Sequence, residues 1–277
     1  MKRILSMVMM IVITVTSFGF CSYNSNSVVS ADTVSWPSGP GLVAETAVMI
    51  DASTGSVLFD KKCHQKMYPA SITKIMTALL TIENCNLDDT VTFSQSAIDT
   101  LEPEAANIGA VVGEEMSVKD CLYALMLQSA NEVASALAEH VSGSIEEFAK
   151  LMNKRAKQAG ANDAHFANAC GLFNKKHYVT AYDMAKIMQA ALQYPVFREI
   201  INSSSYTLPT DNKRKEPLTI SQRHQMVQPW NSFHYDGIIG GKTGFVNESG
   251  TTLVTSAQRD GMTLITVVLN SPGTNSY

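Results

Sequence analysis

Strand-forming sequence occupies both ends of this 277-residue chain, and helix-forming sequence fills its middle. Near the start, Ala47 to Ile50 and Ser56 to Phe59 read as two strands joined by the turn Asp51-Ala-Ser-Thr-Gly55. Near the end, Thr251 to Thr255 and Thr263 to Leu269 flank Asp260-Gly261, a pair that tolerates the positive φ of a tight hairpin. The stretch around Lys242-Thr-Gly244 reads as the neighbouring strand. Strands at both ends with helices between imply that the first hairpin joins the last strands. The expected fold class is therefore α/β in the α+β sense: one antiparallel sheet of about five strands, with a mostly helical lobe packed on it.

The middle carries the apolar spacing of helices. One should begin near Ser71, behind Pro69, and bury Ile75, Met76, Leu79 and Leu80 on one face. Ser117 with Asp120 resembles a capping box and opens a helix through Leu127. Val133, Ala134, Leu137, Ala138 and Val141 repeat at helical spacing on the next segment. Ser144 with Glu147 caps another helix, which Gly160 ends. Thr180 with Asp183 starts a fourth, running to about Leu192 before Pro195 stops it.

Apolar residues make up 45% of the chain and charged residues 17%, which excludes a disordered polyelectrolyte. The net charge of −4 argues against a nucleic-acid partner. Lys2 and Arg3, the uncharged run Ile4 to Phe20 and the small residues Val29-Ser30-Ala31 have the form of a removable export signal over residues 1–31. A retained membrane anchor is the alternative reading, because the run is near the lower length limit for a span. Residues 32–43, with Trp36-Pro-Ser-Gly-Pro40, read as a linker. That leaves 44–272 as the folded domain and 273–277 as a tail. Beyond the signal stand Cys63, Cys85, Cys121 and Cys170, for which three pairings are possible and spacing chooses none. Cys121, inside an apolar helical run, reads as a free buried thiol. No spacing resembles a zinc site, so no metal and no cofactor are expected.

Three short motifs carry the chemistry: Ser71-Ile-Thr-Lys74, then Ser129-Ala-Asn131, then Lys242-Thr-Gly244. A Ser-x-x-Lys pair arises about once by chance in such a chain, so the order and spacing of all three carry the signal. Residues three apart on a helix share a face, so Lys74 can present its amine to the Ser71 hydroxyl. That amine is useful as a base only if burial and a second cation, for which Lys242 is the obvious candidate, keep it neutral. Ser129 can pass a proton to a departing amine, and Asn131 can hold Lys74 and a substrate carbonyl together. Lys242 and Thr243 can bind a carboxylate, while Gly244 lets substrate backbone approach. The N–H groups of Ser71 and Phe245 would form the oxyanion site. Arg223 or His224 is a further candidate for the carboxylate, with no choice between them.

These motifs in this order resemble the serine-type D-alanyl-D-alanine carboxypeptidases, low-molecular-mass penicillin-binding proteins of the S11 peptidase type. The resemblance extends to Asp51-Ala-Ser-Thr-Gly-Ser-Val-Leu58, Tyr68-Pro-Ala-Ser-Ile-Thr-Lys-Ile-Met-Thr77 and His177-Tyr-Val-Thr-Ala-Tyr-Asp-Met-Ala185. His165-Phe-Ala-Asn168, Gly171-Leu172 and Asp236-Gly237 belong to it as well. It implies a β-lactamase/transpeptidase-like fold and removal of the terminal D-alanine from peptidoglycan stem pentapeptides through an acyl-enzyme on Ser71. It also implies covalent inhibition by β-lactams and a location at the outer face of the cell membrane or in the cell wall. Gly240-Gly241 lengthens the family's usual approach to the lysine, so a bulge is expected there. The resemblance also implies a C-terminal covering helix, a small β-domain and an amphipathic anchor; with Tyr277 soon after the last strand, the catalytic domain reads as C-terminally truncated, and membrane association is left open.

Two other readings stand beside this one. A class A β-lactamase would share fold and motifs but carries a Glu-x-x-Leu-Asn pattern, and Asn162 to Asn174 holds no glutamate. A catalytically silent wall-binding module would be expected to lose its nucleophile or lysine, and both are intact.

Overall fold

The strand-forming ends of the chain meet in one sheet. In chain order the strands are β1 (Thr46–Asp51), β2 (Val57–Lys61), β3 (Thr90–Thr92), β4 (Glu115–Ser117), β5 (Ser205–Leu208), β6 (Leu218–Ser221), β7 (Ile238–Val246), β8 (Gly250–Arg259) and β9 (Met262–Ser271). This computed structural model describes residues 39–273. The expected signal at 1–31, residues 32–38 of the linker and 274–277 of the tail lie outside the described residues. Contacts divide the chain between Pro40 and Gly41, and the fold described here is that of the second unit.

The main sheet has the order β2-β1-β9-β8-β7, with every pair antiparallel. Its closure across the chain ends is the β1–β9 pairing, in register from Thr46 opposite Leu269 to Asp51 opposite Leu264. The β1–β2 turn is built by Asp51, whose Oδ1 accepts the N–H groups of Ser53 at 2.7 Å and Thr54 at 2.9 Å. Asp260 and Gly261 close the β8–β9 hairpin at φ +49° and +79°, the positive values this two-residue loop demands. The expected bulge is present: pairing of β7 with β8 shifts between Ile238 and Gly240. A Cβ at Gly240 would lie 2.1 Å from the Ile201 carbonyl oxygen, so only glycine fits.

The helical lobe comprises α1 (Lys74–Asn84), α2 (Gln95–Asp99), α3 (Val118–Tyr123), α4 (Asn131–Ser142), α5 (Ile145–Gln158), α6 (Ala181–Ala191) and α7 (Pro195–Asn202). Its centre is α1, with Ile75, Met76, Leu79 and Leu80 fully buried between α4 and α6. In turn α6 lies against β1 and β9, so the lobe and the sheet share one core. The caps formed as expected. Ser117 accepts the Asp120 N–H at 3.0 Å, Ser144 accepts that of Glu147 at 3.2 Å, and Thr180 and Asp183 make a reciprocal box. Gly160, at φ +86°, follows the end of α5.

Four local differences from the sequence reading have physical causes. The first helix starts at Lys74, because residues Ala70–Thr73 form a 3₁₀ turn held from both sides, as described below. The helix expected through Leu127 becomes a π-helical turn over Ala124–Gln128, broken by Ser129 in the left-handed region. Pro195 stops α6 and also opens α7, where its missing N–H costs nothing. The short ladders β3–β4 and β5–β6 were not anticipated. The four cysteines among the described residues are free, with Cys121 buried as expected. Among the described residues no helix is long and apolar enough to cross a membrane, and no cluster of side chains could hold a metal.

Candidate active site

All three motifs converge where the edge strand β7 passes the 3₁₀ turn. A Cβ on Gly244 would lie 2.8 Å from the Ser71 nitrogen, so the strand runs directly against the nucleophile's own N–H. From β8, the Thr252 hydroxyl donates to the Pro69 carbonyl at 2.9 Å and ties the turn to the sheet. On the other side, a Cβ on Gly171 would stand 1.9 Å from the Ala70 carbonyl oxygen, and Gly171 itself has φ +92°. Ala70 is forced to φ +53°, a conformation unfavourable for a residue with a side chain, immediately before Ser71. The nucleophile is therefore wedged between a strand and the 168–172 loop.

That loop is itself fixed. Asn168 accepts the Gly171 N–H at 2.7 Å and donates to the Leu172 carbonyl at 2.9 Å. Thr77 on α1 donates to the Ala169 carbonyl at 2.6 Å. The result aims the Cys170 carbonyl at Lys74.

Lys74 is fully buried, with Nζ 3.1 Å from Ser71 Oγ, 2.6 Å from Asn131 Oδ1 and 2.7 Å from the Cys170 carbonyl oxygen. Two of these neighbours can only accept, whereas the hydroxyl can also donate. A neutral amine has two N–H bonds and one lone pair, so it can satisfy both acceptors and still receive the Ser71 proton. Burial pushes the Lys74 amine down to about 8; the Cys170 thiol and the Glu132 carboxyl oppose that shift, and the Arg223 guanidinium adds to it.

Lys242 is buried as well, and its Nζ donates to the Thr243 carbonyl at 3.0 Å. Its basicity is held well below the usual lysine range, first by burial and then by the charges of Lys74 and Arg223. The part expected of Lys242 as the second cation that depresses Lys74 falls to Arg223, while Lys74 in turn lowers Lys242.

Ser129 adopts φ +65° at the end of the π-helical turn and is nearly buried, at 3% exposure. Asn131 opens α4 two residues later. One cleft of about 620 Å³ is lined by Ser71, Ser129, Asn131, Lys242, Thr243, Gly244 and Phe245, with Lys74 beneath its floor. Arg223 lines it too. His224 does not: its Nε2 pairs with the Thr255 hydroxyl at 2.9 Å, and burial pushes it down to about 4.

The sequence reading missed Glu132. It is fully buried, its Oε1 accepts the Ile108 N–H at 2.7 Å, and its Oε2 makes no hydrogen bond among the described residues. Burial raises its carboxyl above the usual range. With the Asn131 N–H donating to the Ala106 carbonyl at 2.9 Å, it pins the cleft wall to the start of α4. Its place directly after Asn131 was the only available signal. His177 supports the site from below: its Nε2 pairs with the Thr73 hydroxyl at 3.0 Å, and burial holds it neutral by pushing it down to about 3.

Known proteins resemble this chain in sequence and fold. The chain is 35% identical to the D-alanyl-D-alanine carboxypeptidase DacF of Bacillus subtilis, over 82% of this chain and 57% of that protein. It is 32% identical to the D-alanyl-D-alanine carboxypeptidase of Streptomyces sp. (strain K15), over 84% of this chain and 82% of that one. The chain thus spans little more than half of the Bacillus relative. Among solved structures, a mutant of the Streptomyces K15 DD-transpeptidase superposes with a TM-score of 0.78 at 29% identity, covering 85% of this chain and 93% of that one. A D-alanyl-D-alanine carboxypeptidase from Mycobacterium tuberculosis gives 0.77 at 29% identity, covering 88% of each chain. The fold is that of the DD-transpeptidases and penicillin-binding proteins. The model of the S11 peptidases, described as D-alanyl-D-alanine carboxypeptidase, matches residues 33–273, and the chain belongs to that family.

Proposed function

We propose that this protein is a serine D-Ala-D-Ala carboxypeptidase that removes the terminal D-alanine from peptidoglycan stem pentapeptides. The observation that carries this reading is the buried Lys74 amine, 3.1 Å from the Ser71 hydroxyl and pushed down to about 8. Ser71 Oγ attacks the carbonyl of the penultimate D-alanine while its proton passes to Lys74 Nζ. The Ser71 and Phe245 N–H groups receive the developing oxyanion, and β7, as the sheet's edge strand, leaves backbone groups unpaired toward the cleft. The C–N bond then breaks, with the proton held on Lys74 Nζ relayed through the Ser129 hydroxyl to the leaving amine, so that both side chains return to their starting state. Lys242 and Thr243 hold the carboxylate of the departing D-alanine, and Asn131 orients both Lys74 and the acyl chain. Water releases the acyl group and returns Ser71.

A β-lactam enters the same path, with its ring amide in place of the peptide bond, and remains on Ser71. Residues 1–31 have the form of an export signal, and the substrate lies outside the membrane, so we place the protein at the cell wall. Penicillin treatment followed by intact mass and peptide mapping should find one adduct, on Ser71. Release of D-alanine from a peptide ending in D-Ala-D-Ala should accompany it. Rapid turnover of nitrocefin would favour a β-lactamase instead. Penicillin binding with no D-alanine released would point to a silent wall-binding module.

A further inference from the structure

A second cavity, of about 480 Å³, adjoins the catalytic cleft and shares Arg223 with it. Five carboxamides dominate its lining: Gln128, Gln222, Gln225, Gln228 and Asn231. Among the described residues no carboxylate lines it. Gln222 and Gln228 are partly spent on each other's surroundings, since the Gln228 amide donates to the Gln222 carbonyl and that of Gln222 donates to the Ile201 carbonyl. Gln128 and Gln225, both half-buried, have side chains with no hydrogen bond among the described residues, so their donors and acceptors are unspent.

The segment that supplies Gln228 and Asn231 to this cavity also carries two exposed aromatic residues. Gln228 to Asn231 form one turn, closed by the Asn231 N–H on the Gln228 carbonyl at 3.0 Å, and Asn231 to His234 form the next, closed likewise at 3.0 Å. Each turn holds an aromatic residue at its third position, Trp230 in the first and Phe233 in the second. Turn corners lie within about 7 Å of one another, so Trp230 stands beside the two cavity-lining residues that bracket it. Trp230 is 70% exposed and Phe233 65%, an unusual outlay of aromatic surface on a tightly hydrogen-bonded loop.

Amides and one guanidinium beside exposed aromatic faces suit a ligand that carries no positive charge, is rich in hydroxyl and N-acyl groups, and is flat on one side. We propose that this cavity and the exposed aromatic residues of the segment beside it bind the glycan strand of peptidoglycan, taking an N-acylated amino sugar while the attached stem peptide reaches Ser71. The proposal rests on the carboxypeptidase reading. A stem of about four residues spans roughly 14 Å at 3.3–3.6 Å per residue, enough to reach from the cleft to an adjoining cavity. The glycan contact would favour polymer-borne stems over free peptides without touching the reacting atoms.

The test titrates the full chain by calorimetry with glycan strands stripped of their stem peptides. Wild type should bind; Trp230→Ala and Phe233→Ala should each weaken binding about tenfold. Trp230→Phe should retain most of it, and penicillin acylation should be unchanged in all three, which also verifies their folding. Absence of glycan binding by wild type, or equal binding by the alanine variants, overturns the proposal. Loss of binding to phosphatidylglycerol vesicles in those variants, with glycan binding intact, overturns it in favour of a membrane contact. Wild type that binds glycan but is never acylated by penicillin would overturn the carboxypeptidase reading alone, because the titration requires no catalysis.

Discussion

Replacing Lys74 by methionine separates the energetic cost of the buried amine from its chemistry. Lys74 is wholly buried, and its amine is pushed from 10.5 down to about 8, chiefly by burial. A base whose affinity for protons falls on folding destabilises the protein wherever the unfolded chain keeps the extra proton. Below pH 8 the penalty is complete; at 1.36 kcal/mol per pK unit, the drop from 10.5 to about 8 costs about 3 kcal/mol. As pH rises from 8 toward 10.5 the unfolded chain loses its proton too, and the penalty fades. Between about pH 6.5 and 9.5 the wild type should therefore gain about 2 kcal/mol relative to Lys74→Met. The hydrogen bonds to Asn131 and Cys170 that methionine loses change the offset between the two proteins and leave this slope untouched. Urea unfolding of both proteins at both pH values reads it directly. Parallel stabilities would refute the reasoning, since the amine would then keep its ordinary basicity when buried. Acylation of the variant by penicillin should fall roughly 10²–10⁴-fold.

Gly244→Ala should slow acylation about 10²–10³-fold, because its methyl group would sit 2.8 Å from the Ser71 nitrogen and spoil an oxyanion donor. Stopped-flow acylation kinetics measure this, and an unchanged rate would remove that N–H from the mechanism. Lys242→Ala should raise KM for a D-Ala-D-Ala peptide about 10- to 100-fold, while Ser71 still takes the penicillin label at saturation. A loss confined to kcat would mean that Lys242 serves the reacting bond and not the carboxylate. Glu132→Gln should move the acid limb of acylation to lower pH, since the Glu132 carboxylate raises the Lys74 amine. A limb that stays in place or moves upward would contradict that pairing.

Apart from the joining of the two chain ends in one sheet, most of what could be read ahead of the structure was local. Ser117 with Asp120, Ser144 with Glu147 and Thr180 with Asp183 each carry a cap within four residues, and all three formed. The Asp260-Gly261 hairpin was legible for the same reason, because both residues tolerate positive φ, whereas the Gly240-Gly241 bulge was expected from comparison with the family's usual spacing. The β3–β4 and β5–β6 ladders hold three and four residues per strand, too few alternations to stand out. The left-handed Ala70 is invisible in sequence, since alanine does not favour it; the Gly171 backbone and the β7 strand impose it from far along the chain. The Cys170 carbonyl gives no signal either, because every residue has one. The three motifs named side chains that meet at the cleft, but the burial that lowers the Lys74 amine comes from tertiary contact.

The pH dependence of penicillin acylation, followed by intact mass from about pH 6 to 10, tests the neutral-amine account most directly. The rate should rise through a single ionisation near pH 8, the value set by burial of Lys74, with the adduct on Ser71. An ionisation near 10.5, a rate flat across the range, or an adduct on any other residue would contradict it.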